Sequence, residues 1–201
     1  LQVMERAMAS LERKENLKTL MGAEGLATKA YFSGFSKMFL KRADGFAFEG
    51  RARRPPTDPV NALLSFGYSL IGNEITAQVA AAGFDPFIGF YHGINYGRPS
   101  LALDLVEEFR HPVVDRFVLY LVNNRLLRPD DFETDPEGGV RLRAEPLKTY
   151  LRQYEKRMLA KFQHPVTGES ITYRRLFHDQ VMKMAKAVKE NGEYEPYVVG
   201  K

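Results

Sequence analysis

The sequence predicts a mainly α-helical fold with one small β-hairpin. Along most of the 201 residues, apolar side chains recur at intervals of three and four, the period of an amphipathic helix. The segment 59–82 is apolar on nearly every side, which is typical of a helix at the centre of a bundle. Only residues 131–143 show short apolar runs around an Asp-Pro-Glu-Gly-Gly turn, the pattern of a hairpin.

The first three predicted helices follow apolar stripes and a capping signal. Helices are predicted over 2–20 and 23–40, and a basic, proline-containing connector over 51–56 follows them. Asp58 before Pro59 marks the start of the third helix, because proline is favoured at the first helical position.

The remaining predicted elements are helical apart from the hairpin. An Asp-Pro pair at 85–86 predicts a turn, Ser100 is predicted to cap the next helix, and Pro112 breaks or restarts that helix. The later elements are helices over 113–127, near 145–162 and near 171–190, with a loop from His164 to Gly168 and an extended or loosely held tail after Asn191. We therefore predict one helical domain over 1–190 and a C-terminal tail over 191–201.

The composition limits the classes of function. The chain has no cysteine, which excludes disulfides, zinc–thiolate clusters and iron–sulfur centres within it and suits the cytoplasm. It has no apolar run of about 18 residues, so we expect no transmembrane helix and no membrane partner. No signal peptide is visible and the first residue is Leu, so we expect a piece of a longer protein. Walker loops and G-x-S-x-G elbows are also absent from the sequence.

Charge is unevenly distributed, although the net charge is only +4. Residues 91–140 carry a net charge of −4, whereas residues 141–190 carry +7. An acidic centre between basic segments suits a cation site beside a phosphate-binding surface. The alternative is a set of solvated helix faces without a partner. A further basic run consists of Lys37, Lys41, Arg42, Arg51, Arg53 and Arg54.

Three acidic residues share one helix face. Asp104, Glu107 and Glu108 occupy positions i, i+3 and i+4 beside an apolar stripe, where a bound metal ion is a common reason for acidic groups. Asp104 and Glu107 can reach the same ion, whereas Glu108 is rotated by about 100° from Glu107, which favours a structural role. The alternatives are a favourable charge in the first helical turn and ion pairs with arginines.

Glu24 and His92 are further candidate ligands. Glu24 is flanked by Gly22, Ala23 and Gly25, which would let a ligand approach closely; the alternative is an exposed glutamate at a helix N-terminus. His92 lies in a glycine-rich loop that leads directly into the acidic helix, and an imidazole with carboxylates suits Mn²⁺ and can accept Mg²⁺. The alternative for His92 is a hydrogen-bonded structural histidine.

Two arginines lie beside these candidates. The loop that follows His92 presents Arg98, which could hold a scissile phosphate, and Arg110 lies one turn beyond Glu107. An ordinary surface salt bridge is the alternative for each arginine.

Four motifs in order resemble the family of CRISPR-associated integrases, the catalytic subunit of spacer acquisition. They are Met21-Gly-Ala-Glu-Gly, the apolar helix from Asn61 to Gly83, the segment Gly83-Phe-Asp-Pro-Phe-Ile-Gly-Phe-Tyr-His, and the segment from Gly97 to Arg110. The resemblance covers nearly the whole chain, including the hairpin. It implies a helical catalytic domain that inserts spacer DNA into the repeat array by attack of a 3′-hydroxyl on a phosphodiester.

The resemblance also implies the site residues. It assigns ligation of Mg²⁺ or Mn²⁺ to Glu24, His92 and Glu107, where the family often has Asp in place of Glu107, and it assigns Asp104 to an additional acidic position of the catalytic site. Arg98 and Arg110 match basic positions that the family uses near DNA. We expect the basic run, in particular Lys41, Arg42, Arg53 and Arg54, to bind DNA with them.

The partners follow from the same resemblance. They are double-stranded DNA with 3′ overhangs, the CRISPR repeat DNA, a second copy of the chain, the small non-catalytic adaptation subunit and, in some relatives, an iron–sulfur nuclease. Family members carry an N-terminal β-rich domain that is used in dimerisation, and we expect this chain to lack it. Two other functions stay open, a stand-alone metal-dependent nuclease and a non-catalytic helical DNA-binding module.

Overall fold

The computed structural model describes residues 2–11, 16–40, 43, 45–52 and 54–199, and it confirms the mainly α-helical class. In the described residues the helices are α1 (Gln2–Leu11), α2 (Leu17–Phe35), α3 (Pro59–Ala81), α4 (Ser100–Phe109), α5 (Arg116–Asn123), α6 (Ala144–Leu159) and α7 (Tyr173–Glu190). The strands are β1 (Phe132–Thr134), β2 (Val140–Leu142), β3 (Phe162–Gln163) and β4 (Ser170–Ile171). They form two antiparallel hairpins, β1–β2 and β3–β4, and the described residues contain no larger sheet.

Helix α2 differs from the prediction at its start. Asn16 caps it, because the Asn16 side chain accepts a hydrogen bond from the Thr19 backbone N–H at 3.0 Å. The helix then continues through Gly22 and Gly25, so the predicted break before residue 23 is wrong. The single helix predicted over 2–20 is also wrong, because α1 ends at Leu11 and α2 begins at Leu17. Each glycine costs a helix only about 1 kcal/mol, which the burial of aromatic residues further along α2 offsets.

Helix α3 begins as predicted. The Asn61 backbone N–H donates to Asp58 Oδ1 at 2.8 Å, and Pro59 is the first helical residue. About one residue per turn is fully buried, which confirms its place in the core: Val60, Leu63, Leu64, Ile71, Ile75 and Val79 are all 0% exposed. No described helix is both long and apolar enough to span a bilayer.

The chain divides into two compact units. The first comprises residues 1–63 and 119–143, and the second comprises residues 64–118 and 144–201. Glu24 belongs to the first unit, whereas His92, Asp104 and Glu107 belong to the second. The single domain over 1–190 and the tail over 191–201 stay predictions.

Aromatic packing forms the core of the first unit. Phe35 is 0% exposed and packs edge-to-face with Phe32, Phe39 and Phe48, with ring centroids 5.4–5.7 Å apart. The predicted hairpin at 131–143 is confirmed, with Glu133 opposite Arg141 in its register.

The second unit is built around Tyr150 of α6. Tyr150 is 0% exposed, and its ring contacts those of Phe66 and Phe117 with both centroids at 5.1 Å. Gly67 allows α3 to come this close, because a Cβ atom there would lie 2.5 Å from Val114 Cγ1. The predicted helices near 145–162 and 171–190 are confirmed as α6 and α7.

Three local predictions need correction. Ser100 is the first residue of α4 rather than its cap, and residues 110–115 form a wide π-helical turn around Pro112, so α5 is shorter than the predicted helix over 113–127. Proline has no N–H to donate, which explains why the regular helix stops there. The predicted loop at 164–168 lies within a second hairpin, β3–β4, whose strands of two residues are too short to show a period in the sequence.

Candidate active site

Asp104 fixes the loop that presents His92. Asp104 Oδ2 accepts hydrogen bonds from the backbone N–H groups of Phe90 at 2.6 Å and Tyr91 at 2.9 Å. Asp104 Oδ1 accepts from the His92 backbone N–H at 2.8 Å and is 2.7 Å from His92 Nδ1. Because an ionised carboxylate only accepts hydrogen bonds, Nδ1 carries a proton and the other ring nitrogen, Nε2, is left to act as a ligand or base.

The ends of this loop are anchored to the start of α4. Ser100 Oγ is buried and donates to the Gly93 carbonyl oxygen at 2.9 Å, and the Leu101 backbone N–H donates to the Pro86 carbonyl oxygen at 2.9 Å. Gly89 permits the close contact, because a Cβ atom there would lie 2.8 Å from Asp104 Oδ2. The His92 ring is therefore held by the folded loop and is only 8% exposed as a residue.

Glu107 faces the free edge of the His92 ring. Glu107 Oε1 lies 3.9 Å from His92 Nε2. Donor atoms that bind Mg²⁺ or Mn²⁺ lie about 2.0–2.3 Å from the ion, so two donors at this separation can both reach one ion. His92 and Glu107 therefore fit a divalent cation, and Asp104 supplies the carboxylate behind the histidine that is typical of such sites.

The described residues of the second unit do not supply a third ligand beside His92 and Glu107. In the described residues, neither unit by itself holds a group of three or more His, Asp and Glu side chains placed to bind an ion. Glu24 lies in the interior of α2 and is exposed, so the alternative of a glutamate at a helix N-terminus is excluded for it. Its role as a ligand stays a prediction.

The two predicted phosphate-binding arginines differ in their surroundings. Arg98 is half-buried, and its guanidinium has no hydrogen bond or ion pair within the described part of the chain. Arg110 Nη2 is paired with Glu107 Oε1 at 2.8 Å, and its guanidinium carbon lies 5.3 Å from the centre of the Tyr68 ring. The salt bridge considered for Arg110 from the sequence is therefore present, with the candidate ligand Glu107 as its partner.

The basic run in the first unit can be placed only in part. Arg54 is exposed, as a residue that binds DNA would be. Lys41, Arg42 and Arg53 lie outside the described residues, so their predicted DNA contacts stay predictions.

Part of the positive charge over 141–190 has internal partners. Arg174 forms ion pairs with Glu74 at 3.0 Å and with Glu155 at 2.6 Å, and Arg157 donates to the backbone carbonyl oxygens of Pro112 and Val113. Some of the basic residues of this segment therefore stabilise the fold and are not available to bind a partner.

Glu108 points away from the site, as its position on the helix predicts. It accepts hydrogen bonds from Gln180 Nε2 at 2.9 Å, the Tyr194 hydroxyl and the Tyr197 backbone N–H at 2.6 Å. Burial raises the pKa of the Glu108 carboxyl above its ordinary value. The structural role predicted for Glu108 is confirmed, and it ties down a tail that the sequence predicts to be extended or loosely held.

Two features of the second unit are not predicted from the sequence. Tyr68 lies under the Arg110 guanidinium and donates its hydroxyl proton to buried Asp115, although nothing in an apolar helix signals this contact. Apolar side chains also project from the loop around His92: Phe90 is 69% exposed, Ile94 is 74% exposed and Tyr96 is fully exposed. Exposed aromatic residues beside a candidate active site suit stacking on unpaired bases.

Comparison with known protein families and with curated proteins points to one family. The family described as CRISPR associated protein Cas1 matches residues 1–156. The CRISPR-associated endonuclease Cas1 3 of Thermus thermophilus is 42% identical over 197 residues, which cover 98% of this chain and 58% of that protein. The chain thus spans less than two thirds of the length of such curated relatives.

Two solved structures are also similar. A casposase bound to integration product has a TM-score of 0.83 at 25% identity, covering 96% of this chain and 53% of that chain. A chain of a Cas6-RT-Cas1–Cas2 complex has a TM-score of 0.83 at 28% identity, covering 98% of this chain and 21% of that chain.

Proposed function

We propose a function from the premise that this chain belongs to the CRISPR-associated Cas1 family. The proposed function is that the chain carries the active site of a DNA-joining enzyme of CRISPR adaptation. The observation that carries the proposal is the arrangement of three side chains in the second unit. Asp104 holds His92 by the ring and by the backbone, and the free nitrogen of that ring is turned toward Glu107. This arrangement suits a divalent ion that acts on a phosphodiester.

The proposed ligands of Mg²⁺ or Mn²⁺ are Glu24, His92 and Glu107. When bound, the ion would activate the attacking 3′-hydroxyl and offset charge on the pentacovalent phosphate. The oxygen of the spacer 3′-hydroxyl would attack a phosphorus atom of the repeat DNA and lose its proton. The O–P bond to the departing 3′ oxygen would break and that oxygen would take up a proton, so the number of phosphodiesters is unchanged. Asp104 acts by orienting His92, since its oxygens already accept the four hydrogen bonds described above.

The protein surface contributes positioning of the DNA. Arg98 has a guanidinium without an ion pair in the described residues and lies in the same loop as His92, so it suits a phosphate next to the reacting one. The exposed side chains of Phe90 and Tyr96 suit the unpaired bases of a 3′ overhang. Arg54 and the undescribed Lys41, Arg42 and Arg53 are proposed as backbone contacts further away.

The proposed partners follow the relatives. The casposase structure is named for an integration product, which supports repeat DNA and a spacer end as substrates, and the complex named for Cas1 and Cas2 supports assembly with the small adaptation subunit. A homodimer within that assembly and, in some systems, an iron–sulfur nuclease are further proposed partners. Since the substrates are cellular DNA, we predict a cytoplasmic location.

A joining assay tests the proposal and its alternatives. Labelled spacer DNA with 3′ overhangs is incubated with a plasmid that carries the repeat, the adaptation subunit and Mn²⁺, using wild-type protein and the variants Glu24→Ala, His92→Ala and Glu107→Ala. We expect each variant to lose at least about 100-fold in joining, because each would remove a metal ligand. Glu145→Ala is the matched control, since Glu145 is an exposed carboxylate whose partner is Lys148 on the surface of α6.

The three candidate functions give different results. A stand-alone nuclease would cut the plasmid without joining the label to it. A non-catalytic DNA-binding module would bind equally well in all variants and would neither cut nor join. Normal joining by all three alanine variants would show that the assigned site is wrong.

A further inference from the structure

We propose that Arg110 competes with the divalent ion for Glu107, and that ion binding transfers its guanidinium to a DNA phosphate. The inference rests on the proposed function, because it concerns the same site. The inference adds that metal binding and DNA binding are coupled through one side chain, that of Arg110. Its basis is the set of contacts that Arg110 makes in the second unit.

The first observation is that two groups approach the same oxygen atom. Glu107 Oε1 lies 3.9 Å from His92 Nε2, the geometry that fits an ion, and 2.8 Å from Arg110 Nη2. A divalent ion between His92 and Glu107 would bring a second positive charge onto an oxygen that already holds a guanidinium. Like charges at such short range repel, so binding of the ion favours departure of Arg110.

The second observation is that the Arg110 guanidinium is incompletely satisfied. Its Nε atom is buried and has no hydrogen-bond partner in the described residues. A buried donor without an acceptor is unfavourable, so the pose beside Glu107 leaves one donor free for another anion. Phosphate is such an anion, because it accepts two parallel hydrogen bonds from one guanidinium.

The third observation is an aromatic ring, Tyr68, that contacts the Arg110 guanidinium. The Tyr68 ring lies 5.3 Å from the guanidinium carbon, and its hydroxyl is bonded to buried Asp115. A guanidinium on an aromatic face can turn about the ring while keeping that contact. Tyr68 would therefore keep Arg110 at the site after it leaves Glu107.

Titration with Mn²⁺ in the absence of DNA tests the competition directly. The free ion is measured by its electron paramagnetic resonance signal, for the wild-type chain and for the neutral variants Arg110→Gln and Arg110→Met. We expect both variants to bind Mn²⁺ about fivefold more tightly, the effect of removing one partly exposed ion pair. Two variants of different shape are used so that a folding defect in one, seen by circular dichroism, leaves the other informative.

Arg175→Gln is the matched control for the lost positive charge. Arg175 forms an ion pair with Asp179, which lies one turn further along α7. The N–O distance is 2.8 Å, as it is between Arg110 and Glu107. Its removal should change Mn²⁺ affinity less than about twofold. Equal effects of the two arginine substitutions would overturn the proposal, because general electrostatics would then explain both.

The remaining outcomes separate this inference from the proposed function. Unchanged or weaker Mn²⁺ binding in both neutral Arg110 variants, with Glu107→Gln still weakening it, would overturn the competition and leave the metal site intact. Absence of Mn²⁺ binding in the wild-type chain, or binding that ignores Glu107→Gln, would refute the metal site and this inference with it. Tighter Mn²⁺ binding in both neutral variants supports the competition between Arg110 and the ion for Glu107.

Discussion

Replacement of Asp104 by Asn should disable the site through the histidine. The carboxylate accepts four hydrogen bonds, two at each oxygen, from Phe90, Tyr91 and His92. An amide of the same shape has only one oxygen. Whichever way it is turned, its NH₂ group faces two of those donors, so two of the four hydrogen bonds are lost.

The expected loss of stability follows from the number of orphaned donors. Each buried donor left without an acceptor costs about 1–3 kcal/mol, and the Asp104 side chain is only 12% exposed. Phe90 lies at the surface, where water can replace part of the lost bonding, so we expect about 2–3 kcal/mol, near the lower end for two donors. Urea unfolding followed by circular dichroism measures this loss.

The same substitution should also weaken metal binding. Without the carboxylate, the His92 ring is free to change its tautomer and orientation, and loss of such a carboxylate behind a metal-ligating histidine costs about 10–100-fold in metal affinity. Mn²⁺ titration and the ¹⁵N shifts of the His92 ring measure the two consequences. An Asp104→Asn variant with wild-type Mn²⁺ affinity and an unchanged ring tautomer would refute the orienting role of Asp104.

Three further predictions concern neighbouring residues. Gly89→Ala should abolish joining while the chain remains folded, because the added Cβ atom would displace the His92 loop from Asp104; a joining assay beside a melting curve tests this. Burial raises the pKa of the Glu108 carboxyl above its ordinary value of 4.5. Its contribution to stability is therefore complete below about pH 4.5 and is lost as the pH rises through the raised pKa. The urea midpoints of the wild type and of Glu108→Gln should converge or cross as the pH rises. Arg98→Gln should weaken DNA binding and reduce the slope of log affinity against log salt by about 1, measured by fluorescence anisotropy.

The sequence predicts the elements that have strong local signals, and it misplaces or misses elements where those signals are weak. Helix α3 has a capping residue, a first-turn proline and an apolar core face, and its bounds agree with the prediction almost to the residue. The start of α2 is missed because two glycines suggest a break that a long buried aromatic stripe overrides. Hairpin β3–β4 is missed because its strands of two residues have no visible alternation.

The candidate site also combines features that the local sequence predicts with features that only the packing of distant residues produces. The spacing of Asp104 and Glu107 on one helix face, and the short loop back to His92, are local features that the sequence displays. The ion pair of Arg110 with Glu107 is also within reach of that spacing, since the two residues are one turn apart. The contact of Arg110 with Tyr68 joins residues far apart in the chain, and only the packing of α3 against the π-helical turn produces it.

The two neighbouring glutamates of α4 place the candidate site and the contacts of the tail on one helix. Glu107 and Glu108 differ by about 100° around the helix axis, so any rotation of α4 that moves one moves the other. Glu108 is bound to Gln180 of α7 and to the tail at Tyr194 and Tyr197, while the Tyr197 ring stacks on Phe109 with centroids 6.1 Å apart. Residues beyond α7 are therefore anchored to α4, the helix that carries Glu107.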